Sequence, residues 1–351
     1  MDSLILQKRK RQFIYGSLFL ILFMTIVVTA TMGTANIKVL ESLKIVIHQI
    51  PLLGDIVDIS AVQKNYVVII QSVRLPRIML SVLVGIGLSI SGVTFQGMLK
   101  NPMADPFIIG ISSGAALGAT IGIVLRLQWA ILGISSISIF AFFGALGTTF
   151  LVYNLARIKA KVPVTTLLLA GIAVGQFLTA IMSFMMVAFS GDMHRIIFWT
   201  LGSFSTKSWT QVKMIFIPVL LGWGLLRFYA KDLNAMLLGE ESAQHLGIEV
   251  ERIKKILLAL NAFIVAMVVS VSGIIGFVGL IIPHIVRLMV GPDHRILIPA
   301  AGLVGGIFML MADTIARIII APMEIPVGII TALFGGPFFI FLLRRKKNSL
   351  L

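Results

Sequence analysis

Residues 75–98 read LPRIMLSVLVGIGLSISGVTFQGM, with a single charge, Arg77, near the start. A helix of this length reaches about 36 Å, more than the ~30 Å hydrocarbon core of a bilayer. Comparable apolar runs fall at about 13–33, 107–125, 130–153, 164–189, 210–229, 255–272, 274–290, 297–320 and 326–343. Composition points the same way. Of 351 residues, 58% are hydrophobic and 12% are charged, against about 25% charged in an ordinary soluble domain. So few charges do not cover that much apolar surface in water. The expected fold is an all-α membrane protein of ten transmembrane helices, one polytopic domain over residues 1–351. A soluble enzyme, a disordered chain and a single-pass receptor are excluded.

The net charge is +15, from 29 Lys and Arg against 14 Asp and Glu. In a soluble protein that excess suggests nucleic acid. In a multispan chain it reports orientation, because cytoplasmic loops collect Lys and Arg. With the N-terminus inside, the inner segments hold 19 of the 29 basic residues. An even span count also places Arg344, Arg345, Lys346 and Lys347 on the same side as Lys8, Arg9, Lys10 and Arg11. Both termini are therefore expected in the cytoplasm. The first apolar stretch is longer than a usual signal-peptide core and is read as an uncleaved span. The weakest division is the uncharged run 257–282, where Ser270, Ser272, Gly273, Gly276 and Gly279 favour a turn between two spans. Within the long outer loop 34–74, Val39, Leu40, Leu43, Ile45 and Val46 suggest a short interfacial helix.

Gly110, Gly114, Gly118 and Gly122 recur every fourth residue. Such a stripe lets a second helix approach closely, and also suits a helix that slides or hinges. Ser89-Ile-Ser-Gly92 is echoed by Ser270-Val-Ser-Gly273, a weak hint of an inverted repeat. Thirteen of the fourteen acids lie in loops or at span ends, and only Asp313 lies well inside an apolar run, one turn before Arg317. An acid inside a membrane span is a functional candidate, and an ion pair with Arg317 accounts for it equally well. A proton- or sodium-coupled carrier usually uses several buried carboxylates, so energy is expected from elsewhere. The chain has no GxxxxGK[ST] phosphate loop, no HExxH, no GxSxG and no cysteine. A membrane enzyme has little to work with, and His284, beside Pro283, is read as structural.

One inner segment stands apart. Residues 231–255 read KDLNAMLLGEESAQHLGIEVERIKK. Ala235–Leu246 is expected to form a short amphipathic helix punctuated by Gly239 and Gly247. It suits a docking element and equally a solvated connector.

Several stretches resemble one family. They are Arg74-Leu-Pro-Arg77, SGVTFQGMLKNPMADPFIIGISSGAALGA (91–119), LLLAGIAVG (167–175), LGEESAQHLGI (238–248), GFVGLIIPHIVRLMVGPDHRILIPAAG (276–302), ADTIARI (312–318) and EIPVGIITALFGGPFFIFLL (324–343). In order and over nearly the whole chain, they are similar to the FecCD or vitamin B12 permease family, the membrane subunits of type II ABC importers for iron–siderophore, haem or cobalamin. The resemblance implies a dimer of permeases, identical or paralogous, with ten helices each. It also implies two ATPase subunits inside, a substrate-binding protein outside and a metal-chelate substrate. It implies no nucleic acid, no cofactor or metal held by this chain, ATP and Mg used by the partner ATPase, and a prokaryotic cytoplasmic (inner) membrane.

Residue by residue, the resemblance places short cytoplasmic coupling helices at about 235–250 and assigns Gly239, Glu240, Glu241, Ala243, Leu246 and Gly247 to coupling with the ATPase. It assigns Arg74, Arg77 and Arg317 to acidic residues of the binding protein, where guanidinium forks suit carboxylates; anchoring to lipid headgroups is the plainer use. It places the cytoplasmic gate at Asn101, Met103, Val164 and Thr165. The two prolines of the Asn101-Pro-Met-Ala-Asp-Pro106 turn suit a gate and an ordinary tight connection alike. The expected function is an importer permease for an iron chelate, with cobalamin as the alternative and an ion-coupled carrier a more distant one.

Overall fold

The computed structural model describes residues 2–33, 37–49, 54, 57–60, 62–127, 129–131, 133–159 and 161–348. Helix α1 (Asp2–Thr31) leads to the short α2 (Val39–His48), whose Ser42, Ile45 and Val46 are buried. A short helix was expected in this loop, and one is present. Helix α3 (Lys64–Val68) runs through a π-helical stretch (Ile69–Arg74) into α4 (Leu75–Met98). Next come α5 (Ile111–Val124), a small hairpin of β1 (Ala130–Ile131) and β2 (Ile134–Ser135), and α6 (Ser136–Ala156). Helices α7 (Val164–Ala188), α8 (Met193–Thr200), α9 (Trp209–Phe228), α10 (Ala230–Leu237) and α11 (Glu240–His245) follow. The chain closes with α12 (Val250–Ser272), α13 (Val278–Val290), α14 (His294–Ile318) and α15 (Val327–Asn348).

Among the described residues, seven helical stretches are long and apolar enough to cross a membrane: Arg11–Thr31, Lys64–Met98, Ser136–Ala156, Val164–Ala188, Trp209–Phe228, Val250–Ser272 and His294–Ile318. Three shorter apolar helices, Ile111–Val124, Val278–Val290 and Val327–Leu342, occupy the other runs seen in the sequence.

Helix α4 is buried along nearly its whole length and packs against α9, α12, α13 and α14. Small residues make this possible. Gly85 faces the backbone of Gly305 on α14, and Gly92 faces that of Gly279 on α13, so a Cβ at either position would collide with main chain. Lipid tails are as apolar as the side chains, so helices in a bilayer associate through such close contact rather than through hydrophobic expulsion. The glycine stripe of α5 works likewise: Gly114 and Gly118 lie against the backbone of Gly144 and Phe140 on α6.

The uncharged run 257–282 does break. Helix α12 stops at Gly273 (φ +73°), and residues 273–277 are non-helical. Irregular backbone at membrane depth is tolerated where protein covers it. Here Ser203 N–H donates to Ser272 O at 2.8 Å, and Phe277 packs over Gly335 of α15. The segment about 235–250 carries the end of one short helix and the whole of another. Gly239 separates α10 from α11 at φ +126° and ψ 148°, a conformation essentially restricted to glycine.

Candidate functional site

Chemistry-bearing side chains collect at the two ends of the bundle. At one end, the start of α4 meets the ends of α1 and α14 and the loop before α15. Asp313, fully buried, receives Arg77 through both carboxylate oxygens: Nε at 3.1 and 3.0 Å, and Nη2 at 2.9 Å. Arg77 Nη1 donates to Glu324 Oε2 at 2.8 Å. Arg317 Nε lies 3.3 Å from Asp313 Oδ2, its Nη2 donates to Thr314 Oγ1 at 3.1 Å, and its Nη1 donates to Met32 O at 3.3 Å. Arg74 Nη1 donates to Ala30 O at 3.0 Å and Thr31 O at 3.4 Å. The last carbonyls of a helix lack partners within it and carry its negative dipole end. Arg74 and Arg317 therefore hold the chain at and just past the C-terminus of α1. Glu324 lies in the loop beyond α14. Burial raises its carboxyl pKa, but the hydrogen bond and charge of Arg77 outweigh that and hold it below the usual range.

At the other end, α10 packs on α4 and α14, and α11 stands further out. Helix α11 buries only Ala243, while Leu238 and Leu246, flanking it, are 73% and 65% exposed. Gly247 (φ +81°) turns the chain after α11, and no atom lies within 4 Å of where its Cβ would be. Asn234 of α10 is tied to the start of α14. Its Oδ1 accepts from His294 N–H at 2.9 Å and lies 2.8 Å from His294 Nδ1, and its Nδ2 donates to Asp293 Oδ1 at 2.7 Å. The imidazole of His294 fills the space beside Gly97, near the end of α4. Asp293 is held well below the usual carboxylate range, first by its hydrogen bond with Arg295.

The turn after α4 is self-supporting. Asn101 Oδ1 accepts from Met103 N–H at 2.9 Å, and Asp105 Oδ1 from Phe107 N–H at 2.8 Å. Burial pushes the Asp105 carboxyl up to about 6. Asn101 and Thr165 are exposed, while Met103 and Val164 are half-buried. Val164 lines a small cavity with Met98, the last residue of α4, and Leu99, just after it. Among the described residues, no three His, Cys, Asp or Glu side chains are grouped to hold a metal ion.

The sequence profile of the FecCD transport family matches residues 19–345. The chain belongs to the FecCD transport family. The cobalamin import system permease protein BtuC of Halobacterium salinarum is 46% identical over 280 residues, covering 80% of this chain and 74% of that protein. The hemin transport system permease protein HmuU of Yersinia pestis is 38% identical, over 79% of this chain and 84% of the other. The Fe(3+)-citrate import system permease protein YfmE of Bacillus subtilis is 37% identical, over 84% and 87%. A metal-chelate type ABC transporter solved in an inward-facing conformation superposes with a TM-score of 0.80 at 31% identity, over 95% of this chain and 99% of that one. This FecCD-family chain is thus a multi-pass membrane transport protein.

Within this FecCD-family chain, the three arginines singled out in the sequence do converge, but all are buried in the chain's own network. The six coupling residues share one turn-helix-turn. Of the four residues assigned to a gate, Asn101 and Met103 lie on the turn after α4, and Val164 and Thr165 open α7; the two places meet where Met98, Leu99 and Val164 line one cavity. The sequence did not bring Glu324, Asn234 or His294 into these sites. Glu324 had a signal: it is an isolated acid between two apolar helices, ahead of Pro326.

Proposed function

We propose that the chain is the permease subunit of an ATP-driven ABC importer. It passes an iron chelate, a ferric siderophore or haem, across a prokaryotic cytoplasmic membrane. It crosses ten times with both termini inside, α5, α13 and α15 completing the count. Two copies, or this chain and a paralogue, form the pathway. Two ATPase subunits bind inside and use ATP and Mg, and a substrate-binding protein binds outside. The chain itself binds no cofactor.

The observation that carries this is α11. A short polar helix set between Gly239 and Gly247, flanked by exposed Leu238 and Leu246, lies outside the spans. Two exposed leucines bracketing a charged helix suit a contact with another protein. In a FecCD-family chain that contact is the ATPase. Closure driven by ATP would reach the turn bearing Asn101 and Met103 and the start of α7 with Val164 and Thr165 as a rigid displacement. Relatives named for hemin and Fe(3+)-citrate support an iron chelate as cargo. Cobalamin is the second reading, favoured by the 46% identity to the Halobacterium permease. The test is reconstitution with the cognate ATPase and binding protein, with uptake of ferric siderophore, haem and cobalamin measured in parallel. ATP-dependent uptake of an iron complex is expected. Uptake of cobalamin alone selects the second reading, and uptake of none contradicts both.

The outer end suggests how a binding protein docks. Arg77 is committed to Asp313 on its inner side, and its other face meets the half-exposed Glu324. A carboxylate from the binding protein would take the place of Glu324 on Arg77, with Arg74 and Arg317 shaping the site. Glu324→Gln should therefore tighten capture of the binding protein at low salt, with the gain shrinking as salt rises. Unchanged or weaker affinity at low salt would count against docking at these arginines.

A further inference from the structure

A push on α11 must still reach the inner connections. We propose that Lys254 is the positioning residue that ties α11 to the start of α7; the proposal rests on α11 being the ATPase contact. Lys254 lies in the first turns of α12. Its Nζ is 2.7 Å from Glu240 Oε1, at the first residue of α11, and 3.4 Å from Glu251 Oε1, one turn back on its own helix. Glu251 Oε2 in turn accepts from the backbone N–H of Val162 at 3.4 Å. Val162 is two residues before Val164, so a continuous polar path runs from α11 to the start of α7 at Val164 and Thr165.

Burial sets Lys254 apart from the other charges nearby. Its side chain is 12% exposed, whereas Arg252, paired with Glu249 on the same turn of α12, faces water. Lys254 also lines the small cavity shared by Met98, Leu99, Val162, Val164 and Leu167. It thus sits where the end of α4, the start of α7 and α11 come together. Helix α11 buries only Ala243, so its hold on the bundle is thin, and the Lys254–Glu240 pair is a fixed tie between it and α12. An ammonium with three donors joins two carboxylates at once. Glu251 then carries the displacement to Val162 through a helix turn that does not bend.

The experiment measures uptake per ATP hydrolysed, in proteoliposomes holding the complete complex of permease, ATPase and binding protein. Lys254→Met, which keeps the stem and removes the charge, should lower that ratio at least tenfold while hydrolysis continues. Lys254→Arg should restore it, because a guanidinium still spans both carboxylates. Arg252→Met, the same charge loss on the exposed side, should leave the ratio at the wild-type value. A wild-type ratio in Lys254→Met, or an equal fall in Arg252→Met, overturns the assignment. Absence of ATP-dependent uptake in the wild-type complex would instead sink the importer reading on which it rests.

Discussion

Asp313→Ala is expected to destabilise the chain by about 3–5 kcal/mol, the cost of leaving a buried charge without its partner. The carboxylate receives Arg77 through three close N–O contacts and pairs with Arg317, and all three side chains are buried. Removing it leaves two guanidinium groups facing each other at the junction of α1, α4 and α14. The change is comparable to the whole stability margin of many proteins. The measurement is the monodisperse fraction after detergent extraction, with the melting temperature of what remains. A sharp fall in both is expected, and Asp313→Asn should fall less, because its amide oxygen still accepts from Arg77. Wild-type yield and melting temperature in Asp313→Ala would show that the network does not hold this end together. The same geometry explains why Arg77→Glu is a poor probe of docking: it sets a second carboxylate beside Asp313 and breaks the fold first.

The second large effect is at Gly247. Its φ of +81° disfavours most side chains, yet nothing in the chain lies within 4 Å of a Cβ there. Asparagine tolerates the left-handed region better than other non-glycine residues, so Gly247→Asn should keep most transport. Gly247→Phe adds a ring to the projecting surface beside Leu246. It should abolish uptake by tenfold or more while the ATPase still hydrolyses ATP. The pair is read by uptake and phosphate release in the same vesicles. Normal uptake in Gly247→Phe would remove α11 from the ATPase contact.

The apolar runs were legible because each helix carries its own signal: length, lack of charge and flanking turn residues. The break at residues 273–277 was legible for the same reason, since Ser270, Gly273 and Gly276 weaken a long apolar stretch locally. Asp313 showed up as the lone acid within a span, and Arg317 as its neighbour one turn on. What the sequence did not disclose was pairing across distance. Arg77 and Asp313 are 236 residues apart, and Arg77 and Glu324 are 247 apart. A guanidinium at a span end turns outward to water or inward to an acid with equal local plausibility. Only the packing of α4 on α14 decides for the inward direction. The Lys254 relay was hidden likewise, because Val162 contributes a backbone N–H, which no residue type announces. The division of α10 from α11 was half legible: Gly239 was noticed as punctuation, but its conformation, which forbids a continuous helix, is a property of the folded chain.

The central claim is that transport is driven by ATP hydrolysis in partner subunits rather than by an ion gradient. The most direct measurement is uptake of an iron chelate into proteoliposomes containing the permease, its ATPase and its binding protein. ATP is supplied to the ATPase side, and ionophores collapse the proton and sodium gradients. Uptake that persists with ionophores and stops when ATP is withheld is the predicted result. Uptake that runs on an imposed proton or sodium gradient without ATP would contradict the account.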